Sequence, residues 1–192
     1  STAITTGASA QTVGVTMSEL DNFLTVLRNG IADYAEENGV EVQIEVAEKD
    51  PARQLSQIQN FIASGVDAII VNPVDTDATS AQSQLAADAG IPLVYVNRQP
   101  VNLDSLPDNQ TFVGSNEVDS GTLETQEVCR LLKEQGKDDG AKIVVMMGQL
   151  NNQAARQRTQ DIHDVIATPE CSFMEIVEEQ TANWYRTEAA DL

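Results

Sequence analysis

Residues 40–71 read VEVQIEVAEKDPARQLSQIQNFIASGVDAIIV and contain one complete strand-helix-strand unit. Apolar and polar residues alternate strictly from Val40 to Val46, which predicts a strand with one face in water. Asp50 followed by Pro51 is typical of a helix start, because Asp caps the helix and proline fits its first turn. The unbroken apolar run at 68–71 is the form expected in the buried middle of a parallel sheet. The stretch therefore predicts two parallel strands joined by a crossover helix.

The same unit recurs on both sides of this stretch. Periodicity predicts further strands at 12–17, 93–96, 111–114, 142–147 and 173–177, and further helices at 23–38, 75–89, 119–135 and 152–167. Strands that alternate with helices specify a doubly wound α/β protein, in which helices cover both faces of a mainly parallel sheet and the crossovers are right-handed. The last segment, residues 181–192, reads as the start of a helix.

The charge of the chain excludes two classes of partner. Lys and Arg number 11 and Asp and Glu number 30, which gives a formal net charge of −19. Because such a surface cannot neutralise phosphates, we expect neither a nucleic-acid partner nor attachment to anionic lipid. No apolar run approaches the roughly 18–20 residues that span a bilayer. The uncharged start at residues 1–11, without a Met, fits either the segment after a removed signal peptide or a chain trimmed by design.

Polar side chains follow the predicted strands. In folds of this class, ligands bind outside the carboxyl ends of the strands. The residues at those ends are mostly uncharged or amides, with one guanidinium and one indole, and they occupy positions 19–21, 72–75, 97–98, 149–152 and 180–184. Amides and carboxylates accept hydrogen bonds from hydroxyls, arginine donates in a fixed fork, and a flat ring covers a C–H face. This set predicts a neutral, polyhydroxylated ligand.

Sequence motifs of common enzymes are absent. The chain has no G-x-x-x-x-G-K-[ST] or G-x-G-x-x-G turn to cradle a phosphate and no G-x-S-x-G nucleophile turn. It has neither H-E-x-x-H nor C-x-x-C for a metal, and its single histidine, His163, falls inside a predicted helix. We therefore expect a binding protein rather than an enzyme, with no cofactor and no metal site.

Six spaced segments make the chain similar to a known family. They are LDNFLTVLRNG at 20–30, GVDAIIVNPVD at 65–75, GIPLVYVNR at 90–98, VGSNEVDSG at 113–121, QAARQR at 153–158 and QTANW at 180–184. In that order they resemble the periplasmic solute-binding proteins of the ribose, galactose and inositol type, the substrate receptors of ABC importers. Within the family, DNFL at 21–24, VNR at 96–98 and QTANWYR at 180–186 are most similar to receptors for inositol and for the inositol derivatives called rhizopines.

The resemblance implies a two-lobe, type I periplasmic-binding-protein-like α/β fold. In this family the lobes are joined by a hinge that the chain crosses three times, and they close on the ligand. The implied organisation is a flexible segment at 1–11, an N-terminal lobe at 12–112 that lacks its late return strands, and a partial C-terminal lobe at 113–192. The first hinge crossing falls near residues 112–114. The rest of the family's fold would follow Leu192, so we expect the natural protein to be longer.

The same resemblance implies a function and partners. We expect a solute-binding receptor of an ABC importer that captures a cyclitol (inositol or an inositol derivative) or a related sugar between its lobes and presents both lobes to a membrane permease. The expected location is the bacterial periplasm, and the full-length protein is expected to be a monomer. Two alternatives stay open. One is the ligand-sensing effector domain of a sugar-responsive transcription regulator, which would need a basic helix-turn-helix before Val13. The other is a small α/β enzyme, for which Asp21 offers a thin basis.

In the first lobe, four residues match ligand-binding positions of the family. Arg98 matches an arginine that forks onto adjacent hydroxyls, with a surface salt bridge as the alternative. Asn97 matches an Asp or Asn of the relatives, with a turn role as the alternative. Asp21 matches an acceptor of ligand hydroxyls and also suits a helix N-cap. Phe23 is either a wall of the pocket or part of the core, and Leu24 replaces an aromatic residue of ribose receptors.

In the second lobe, four further residues are candidates. Arg158 matches a ligand arginine, whereas Arg156 is expected on the helix surface. Trp184 replaces the aromatic residue that packs on the ligand, with a core position as the alternative. Asn152 and Glu117 are candidates whose alternative role is a helix cap, because amides and acids near helix starts are usually caps.

Cys129 and Cys171 permit one disulfide. In an oxidising compartment the pair would close a loop of about 40 residues, which the chain-entropy model credits with roughly 3–4 kcal/mol. Two buried free thiols are the alternative. The sequence leaves both states open.

Overall fold

The structure is a computed structural model that describes residues 10–192. The predicted flexible segment at 1–11 lies outside the described residues except for its last two positions. Two compact units follow one another along the chain. The N-terminal unit ends at Val113, and the C-terminal unit comprises Gly114–Leu192.

Strands and helices alternate along the described chain. The strands are β1 (Thr12–Met17), β2 (Glu41–Val46), β3 (Ala68–Val71), β4 (Leu93–Val96), β5 (Gln110–Val113), β6 (Ala141–Met147) and β7 (Met174–Thr181). The helices are α1 (Asn22–Glu37), α2 (Pro51–Ser64), α3 (Thr79–Asp88), α4 (Glu117–Glu134), α5 (Gln153–Ile166) and α6 (Arg186–Asp191). Short 3₁₀ helices at Thr76–Ala78 and Leu103–Ser105 precede α3 and β5. The predicted α/β fold class is confirmed.

The N-terminal unit is built on a five-stranded parallel sheet with the strand order β2-β1-β3-β4-β5. Val15 of β1 lies beside Ile44 of β2 on one side and beside Ile70 of β3 on the other. The apolar strand β3 occupies the centre of this order, as its sequence predicts, because a strand buried on both faces has no polar face to expose. The alternating strand β2 lies at the edge of the sheet.

Helices of the N-terminal unit pack on both faces of this sheet. Ile69 of β3 belongs to a buried cluster with Phe61 of α2 and Ala86 of α3. The next residue, Ile70, packs against the cluster that contains Leu24 of α1. Since successive residues of a strand point to opposite faces, α1 covers one face, and α2 and α3 cover the other.

Local capping chemistry sets the ends of α2. The Asp50 carboxylate accepts hydrogen bonds from the backbone N–H groups of Ala52 and Arg53, at 2.8 and 3.1 Å. Pro51 occupies the first helical position. Gly65 ends the helix with a φ of 74°, in the left-handed region that glycine adopts without a Cβ penalty. Both ends of this helix were predictable because each depends only on neighbouring residues.

The C-terminal unit has a two-stranded parallel sheet, β6-β7, and the helices α4, α5 and α6. Its buried cluster consists of Cys129, Val165, Cys171 and Met174. Cys129 and Cys171 form a disulfide with a Cα–Cα distance of 5.7 Å, so the structure contains the bonded form of the two that the sequence left open. Among the described residues, no helix combines the length and the apolar character that crossing a bilayer requires.

Strand β7 differs from its predicted extent. The apolar pattern predicts 173–177, whereas the strand runs through Met174–Thr181. Its second half pairs with β6, and a register shift leaves Val177 as an extra residue between the partners of Ile143 and Val144. The bulge leaves Val177 unpaired, and pairing resumes at Glu178 and continues to Thr181 although the side chains of the added half are polar. The pairing partner, rather than side-chain polarity, therefore sets the end of β7.

Candidate functional site

Strained backbone is concentrated just after the carboxyl ends of strands. In residues 10–192, five residues other than glycine have a φ in the left-handed region, between 51° and 66°: Glu48, Lys49, Asn97, Asn183 and Trp184. They follow β2, β4 and β7. Each such residue costs on the order of 1–3 kcal/mol, and such strain clusters at functional sites. The strand ends are also where ligands bind to parallel sheets, so two independent arguments favour this region.

Asn72 links the ends of three strands in the N-terminal unit. Its side chain is fully buried, and its Oδ1 accepts a hydrogen bond from the Ser18 hydroxyl at 2.6 Å. Its Nδ2 donates to the carbonyl of Val96 at 3.3 Å and to Oδ1 of Asn97 at 3.2 Å. Asn97 is thereby held in its left-handed conformation at the end of β4. The candidate residue Asn97 therefore has a turn role, and the amide of Asn72, at the end of β3, fixes its side chain.

Two buried glutamines of α2 form hydrogen bonds with groups at the ends of β1 and β3. Gln54 donates to the carbonyl of Asn72 at 2.9 Å and accepts from the backbone N–H of Val74 at 2.8 Å. Gln57 accepts from the Thr16 hydroxyl at 2.6 Å. Sequence reasoning missed both glutamines. The signal was present, because positions 54 and 57 share the inward face of α2 with the buried Ile58 and Phe61.

Arg98 is buried rather than part of a surface salt bridge. Its exposed fraction is 5%. One terminal nitrogen donates to the carbonyl of Pro73 at 2.9 Å, and the other lies 3.4 Å from Oε1 of Glu19. The second oxygen of Glu19 lies 3.5 Å from Nζ of Lys49. The sequence indicated Glu19 only as a residue at a strand end. Its pairing with Arg98 was not predicted, because the two residues are 79 positions apart along the chain.

Asp21 and Phe23 lie at the start of α1. The Asp21 carboxylate accepts a hydrogen bond from the backbone N–H of Leu24 at 2.7 Å, so it acts as the helix N-cap. Phe23 is 66% exposed. The alternative that Phe23 belongs to the core is therefore wrong, because the first turn of the helix directs its side chain into solvent. No hydrogen bond or ion pair recorded in the described part of the chain connects these two residues with Arg98.

In the C-terminal unit, Glu117 and Arg158 form an ion pair. Glu117 lies in the first turn of α4 with its side chain 1% exposed, and Arg158 lies in α5 with its side chain 41% exposed. Nε of Arg158 donates to Oε2 of Glu117 at 2.5 Å. Oε1 of Glu117 accepts from the Ser115 hydroxyl at 2.7 Å. Both carboxylate oxygens are engaged, while the Arg158 side chain remains partly exposed.

Asn152 and Trp184 follow the ends of β6 and β7. Asn152 is fully buried, and its Oδ1 caps α5 by accepting from the N–H of Ala154 at 3.1 Å, whereas its Nδ2 has no hydrogen-bond partner. Trp184 is 45% exposed, so the core alternative for it is wrong. Its indole lies against Gly148, where an added Cβ would come within 2.1–2.5 Å of the ring. Only glycine at position 148 leaves space for this ring orientation.

Two further features are separate from the strand ends. His163 on α5 pairs with Glu179 of β7, with 2.6 Å between Nε2 and Oε1. An apolar cavity of about 580 Å³ in the N-terminal unit is lined by Val13, Leu27, Ile31, Tyr34, Val42 and Ile70, among others. Its lining is predominantly apolar, which does not suit a polyol. Within residues 10–192, no group of three or more His, Cys, Asp or Glu side chains is arranged to hold a metal ion.

Comparisons with known proteins agree on one family. Residues 13–191 match the family described as "Periplasmic binding protein domain". A protein of Rhizobium meliloti named "Putative rhizopine-binding protein" is 63% identical over 191 residues, which are 98% of this chain and 60% of that protein. The ribose import binding protein of Bacillus subtilis is 30% identical over 177 residues, which are 92% of this chain and 54% of that protein.

A solved structure gives the same result. The ABC transporter solute binding protein from Bacillus halodurans, with bound myo-inositol, matches with a TM-score of 0.84 and 34% identity, covering 97% of this chain and 62% of that chain. The chain thus spans between 54% and 62% of the length of these three proteins.

Proposed function

This chain belongs to the periplasmic binding protein family, and from that premise we propose that it supplies ligand-binding residues of a receptor that captures a cyclitol or a related sugar for an ABC importer. The family consists of substrate receptors and not of enzymes. The preference for a cyclitol is supported by the 63% identity to the Rhizobium meliloti protein and by the myo-inositol bound to the Bacillus halodurans protein.

One observation carries the proposal: each unit holds an arginine oriented by a buried carboxylate near the ends of its strands. Arg98 is paired with Glu19, and Arg158 is paired with Glu117. A guanidinium donates in a fixed fork that suits adjacent hydroxyls. Hydrogen bonds to charged groups contribute roughly 1.5–3 kcal/mol each, against about 1 kcal/mol for neutral pairs, which is enough to anchor a small polyol.

The other candidate residues complete the proposed set. Asp21 and Asn97 accept hydrogen bonds from ligand hydroxyls, and Phe23 and Trp184 offer exposed aromatic faces for the C–H surface of a ring. The exposed fractions of Phe23 and Trp184, 66% and 45%, support these roles, because each ring keeps surface that a ligand can cover. Asn152 and Glu117 are buried and also serve local structural roles, so we propose that they support the site.

The proposal is tested by ligand binding to the full-length protein. Calorimetry and Trp184 fluorescence are recorded against inositols, inosamines, pentoses and hexoses. We expect saturable binding of at least one cyclitol or sugar, and at least tenfold weaker binding in Arg98→Ala and Arg158→Ala, because each loses a charge-assisted hydrogen bond. Arg130→Ala, which removes an exposed arginine of α4, is the control with unchanged affinity. A folded protein that binds none of the panel would contradict the proposal.

We also propose a periplasmic location and a membrane permease as partner. The disulfide between Cys129 and Cys171 supports an oxidising compartment, because such bonds are rare in the reducing cytosol. Cell fractionation followed by thiol alkylation tests this. A periplasmic protein whose two cysteines are protected from alkylation until reduction supports the proposal, and a cytoplasmic protein with free thiols contradicts it. The receptor is expected to be a monomer, which light scattering can check.

A further inference from the structure

We infer that Gly148 is a positioning residue, which sets the direction of the Trp184 ring so that the ring offers a preformed surface to the ligand. The inference rests on the proposed function, in which Trp184 covers a C–H face of a polyol. It adds to the site a residue that the sequence did not indicate. Both residues lie within the C-terminal unit.

A close approach of the Trp184 ring, and not the backbone conformation, requires glycine at position 148. Glycine is needed either where φ is positive or where another group comes too near for a Cβ. Gly148 is not one of the described glycines with a positive φ, which are Gly39, Gly65, Gly90, Gly136 and Gly140. A Cβ built on Gly148 would instead lie 2.1–2.5 Å from Cε2, Nε1 and Cζ2 of Trp184. These atoms form the edge of the indole that carries its N–H.

The backbone of Trp184 belongs to a tight turn that follows β7. The carbonyl of Ala182 accepts from the N–H of Tyr185 at 2.8 Å. The two residues between them, Asn183 and Trp184, have φ values of 51° and 64°. Asn adopts the left-handed conformation readily, whereas a bulky residue such as Trp rarely does. Strain of this kind persists only where the surroundings fix the residue, and it clusters at functional sites.

Two hydrogen bonds attach this turn to its neighbours. The N–H of Ala182 donates to the carbonyl of Met147 at 2.9 Å, directly before Gly148 in the chain. Nδ2 of Asn183 donates to Oε2 of Glu188 in α6 at 2.7 Å. The backbone that carries the indole is therefore fixed relative to β6 on one side and to α6 on the other.

The N-terminal unit contains a similar contact with a different result. A Cβ on Gly14 would lie 2.4–2.8 Å from the ring of Phe61, which is 1% exposed and belongs to the buried apolar core. Trp184 approaches its own glycine at least as closely but remains 45% exposed. Close packing of a ring normally removes it from water, because burial supplies the free energy. A ring that is packed along one edge and exposed elsewhere keeps surface for a further contact, such as the C–H face of a polyol.

Fixing the ring before the ligand arrives favours binding. Immobilising a free side chain on binding costs free energy, and a side chain that is already fixed does not incur this cost. With alanine at position 148 the ring would have to turn away, and its surface would no longer lie where the glycine places it. We therefore expect the effect of Gly148→Ala on affinity to act through Trp184 alone.

The experiment is a double-mutant cycle on the full-length protein, with dissociation constants measured by calorimetry. The probe is myo-inositol or, where the unmodified protein does not bind it, the panel member that it binds most tightly. We expect Gly148→Ala and Trp184→Ala each to weaken binding about tenfold. In the Trp184→Ala protein there is no ring to displace, so the further change Gly148→Ala should alter the affinity by less than about twofold. Gly30→Ala is the matched control with unchanged affinity, because nothing lies within 4 Å of its added Cβ.

A second measurement does not depend on how well Gly148→Ala folds. NMR relaxation of the indole N–H group is recorded in the ligand-free, unmodified protein, and its signal is assigned by its loss in Trp184→Phe. We expect an order parameter of about 0.85, as for rigid backbone. A value below about 0.6 would mean that the ring moves freely before the ligand binds, which contradicts the inference.

Additive losses in the cycle would show that Gly148 acts independently of the ring and would overturn the inference. An unchanged affinity of Gly148→Ala or of Trp184→Ala would overturn it as well. If the unmodified protein binds no member of the polyol panel, the proposed function fails instead, whereas the order parameter still reports whether the ring is fixed. The two failures are therefore distinguishable.

Discussion

The two units stabilise their cores in different ways. The N-terminal unit buries apolar side chains on both faces of a five-stranded sheet, and several of them, such as Ile58, Ile69 and Leu93, have no exposed surface. The C-terminal unit has a two-stranded sheet and one cluster of four buried residues, two of which are the disulfide-bonded Cys129 and Cys171.

This difference indicates which interaction contributes most to the stability of each unit. A large apolar area removed from water supports the N-terminal unit, because burial contributes roughly 25 cal/mol per Å². A small core cannot supply as much, so a covalent link carries a larger share in the C-terminal unit. If this comparison holds, each unit responds to a different kind of substitution. Hydrogen exchange resolved along the sequence reports on the two units separately.

The largest effect is expected for Phe61→Ala in the N-terminal unit. Phe61 is 1% exposed and its ring packs over Gly14, where an added Cβ would lie 2.4–2.8 Å from ring atoms. Removing such a ring should lower the free energy of unfolding by about 3–5 kcal/mol, because it leaves a cavity that the sheet cannot close. Faster hydrogen exchange should appear in the N-terminal unit only. Tyr34→Ala, at a 69% exposed aromatic position, is the control with little change. Equal effects of both variants would contradict the comparison.

The next effect is expected when the disulfide is removed by substituting Cys129 and Cys171 with serine. The bond closes a loop with a sequence separation of 42. Its loss should destabilise the C-terminal unit by roughly 3–4 kcal/mol according to the chain-entropy model. Denaturant unfolding with exchange measurements checks this, and treatment of the natural protein with reductant should reproduce it. Protection lost equally in both units would show that the link does not act locally.

Local chemistry made much of this fold predictable from sequence. The ends of α2 follow from Asp50, Pro51 and Gly65, since a cap and a left-handed glycine act on the residues beside them. The central position of β3 follows from its unbroken apolar run. The end of β7 was missed because it depends on pairing with β6, which no local pattern of the polar residues after Val177 reveals.

In the candidate site, too, some contacts were predictable from local sequence and others were not. Capping by Asp21 and Asn152 was readable because Asp and Asn stand at helix starts. The contact between Glu19 and Arg98 was not, because 79 residues separate them and only the fold brings them together. The ligand-binding roles of the candidate residues stay predictions, since they depend on a bound ligand.

A smaller effect, again in the C-terminal unit, is expected for Gly121→Ala. An added Cβ would lie 2.6 Å from Oδ2 of Asp161 and 2.8 Å from the backbone Cα of Arg158, so α4 and α5 would have to separate. Overpacking of this kind costs about 1–3 kcal/mol. Gly30→Ala in α1 is the matched control, because nothing lies within 4 Å of its added Cβ. That control should gain up to about 1 kcal/mol from helix propensity. Thermal unfolding measures both, and the same sign for the two variants would count against tight packing of α4 on α5.

The smallest effect is expected for Tyr95→Phe in the N-terminal unit, and its pH dependence identifies its cause. The Tyr95 hydroxyl is buried, donates to the carbonyl of Thr79 at 2.8 Å and lies 2.9 Å from the Ser83 hydroxyl. Loss of these hydrogen bonds should lower the free energy of unfolding by about 1–2 kcal/mol at neutral pH.

Burial raises the pKa of Tyr95 well above its ordinary value of 10.0. Below pH 10 the hydroxyl is neutral in both states and its stabilising contribution is complete. Above pH 10 the unfolded chain releases the proton while the folded unit retains it, so the free energy of unfolding falls as pH rises. Urea unfolding between pH 8 and about pH 11 should show this fall in the natural protein and a shallower one in Tyr95→Phe. Identical slopes in the natural protein and in Tyr95→Phe would place the hydroxyl outside the core.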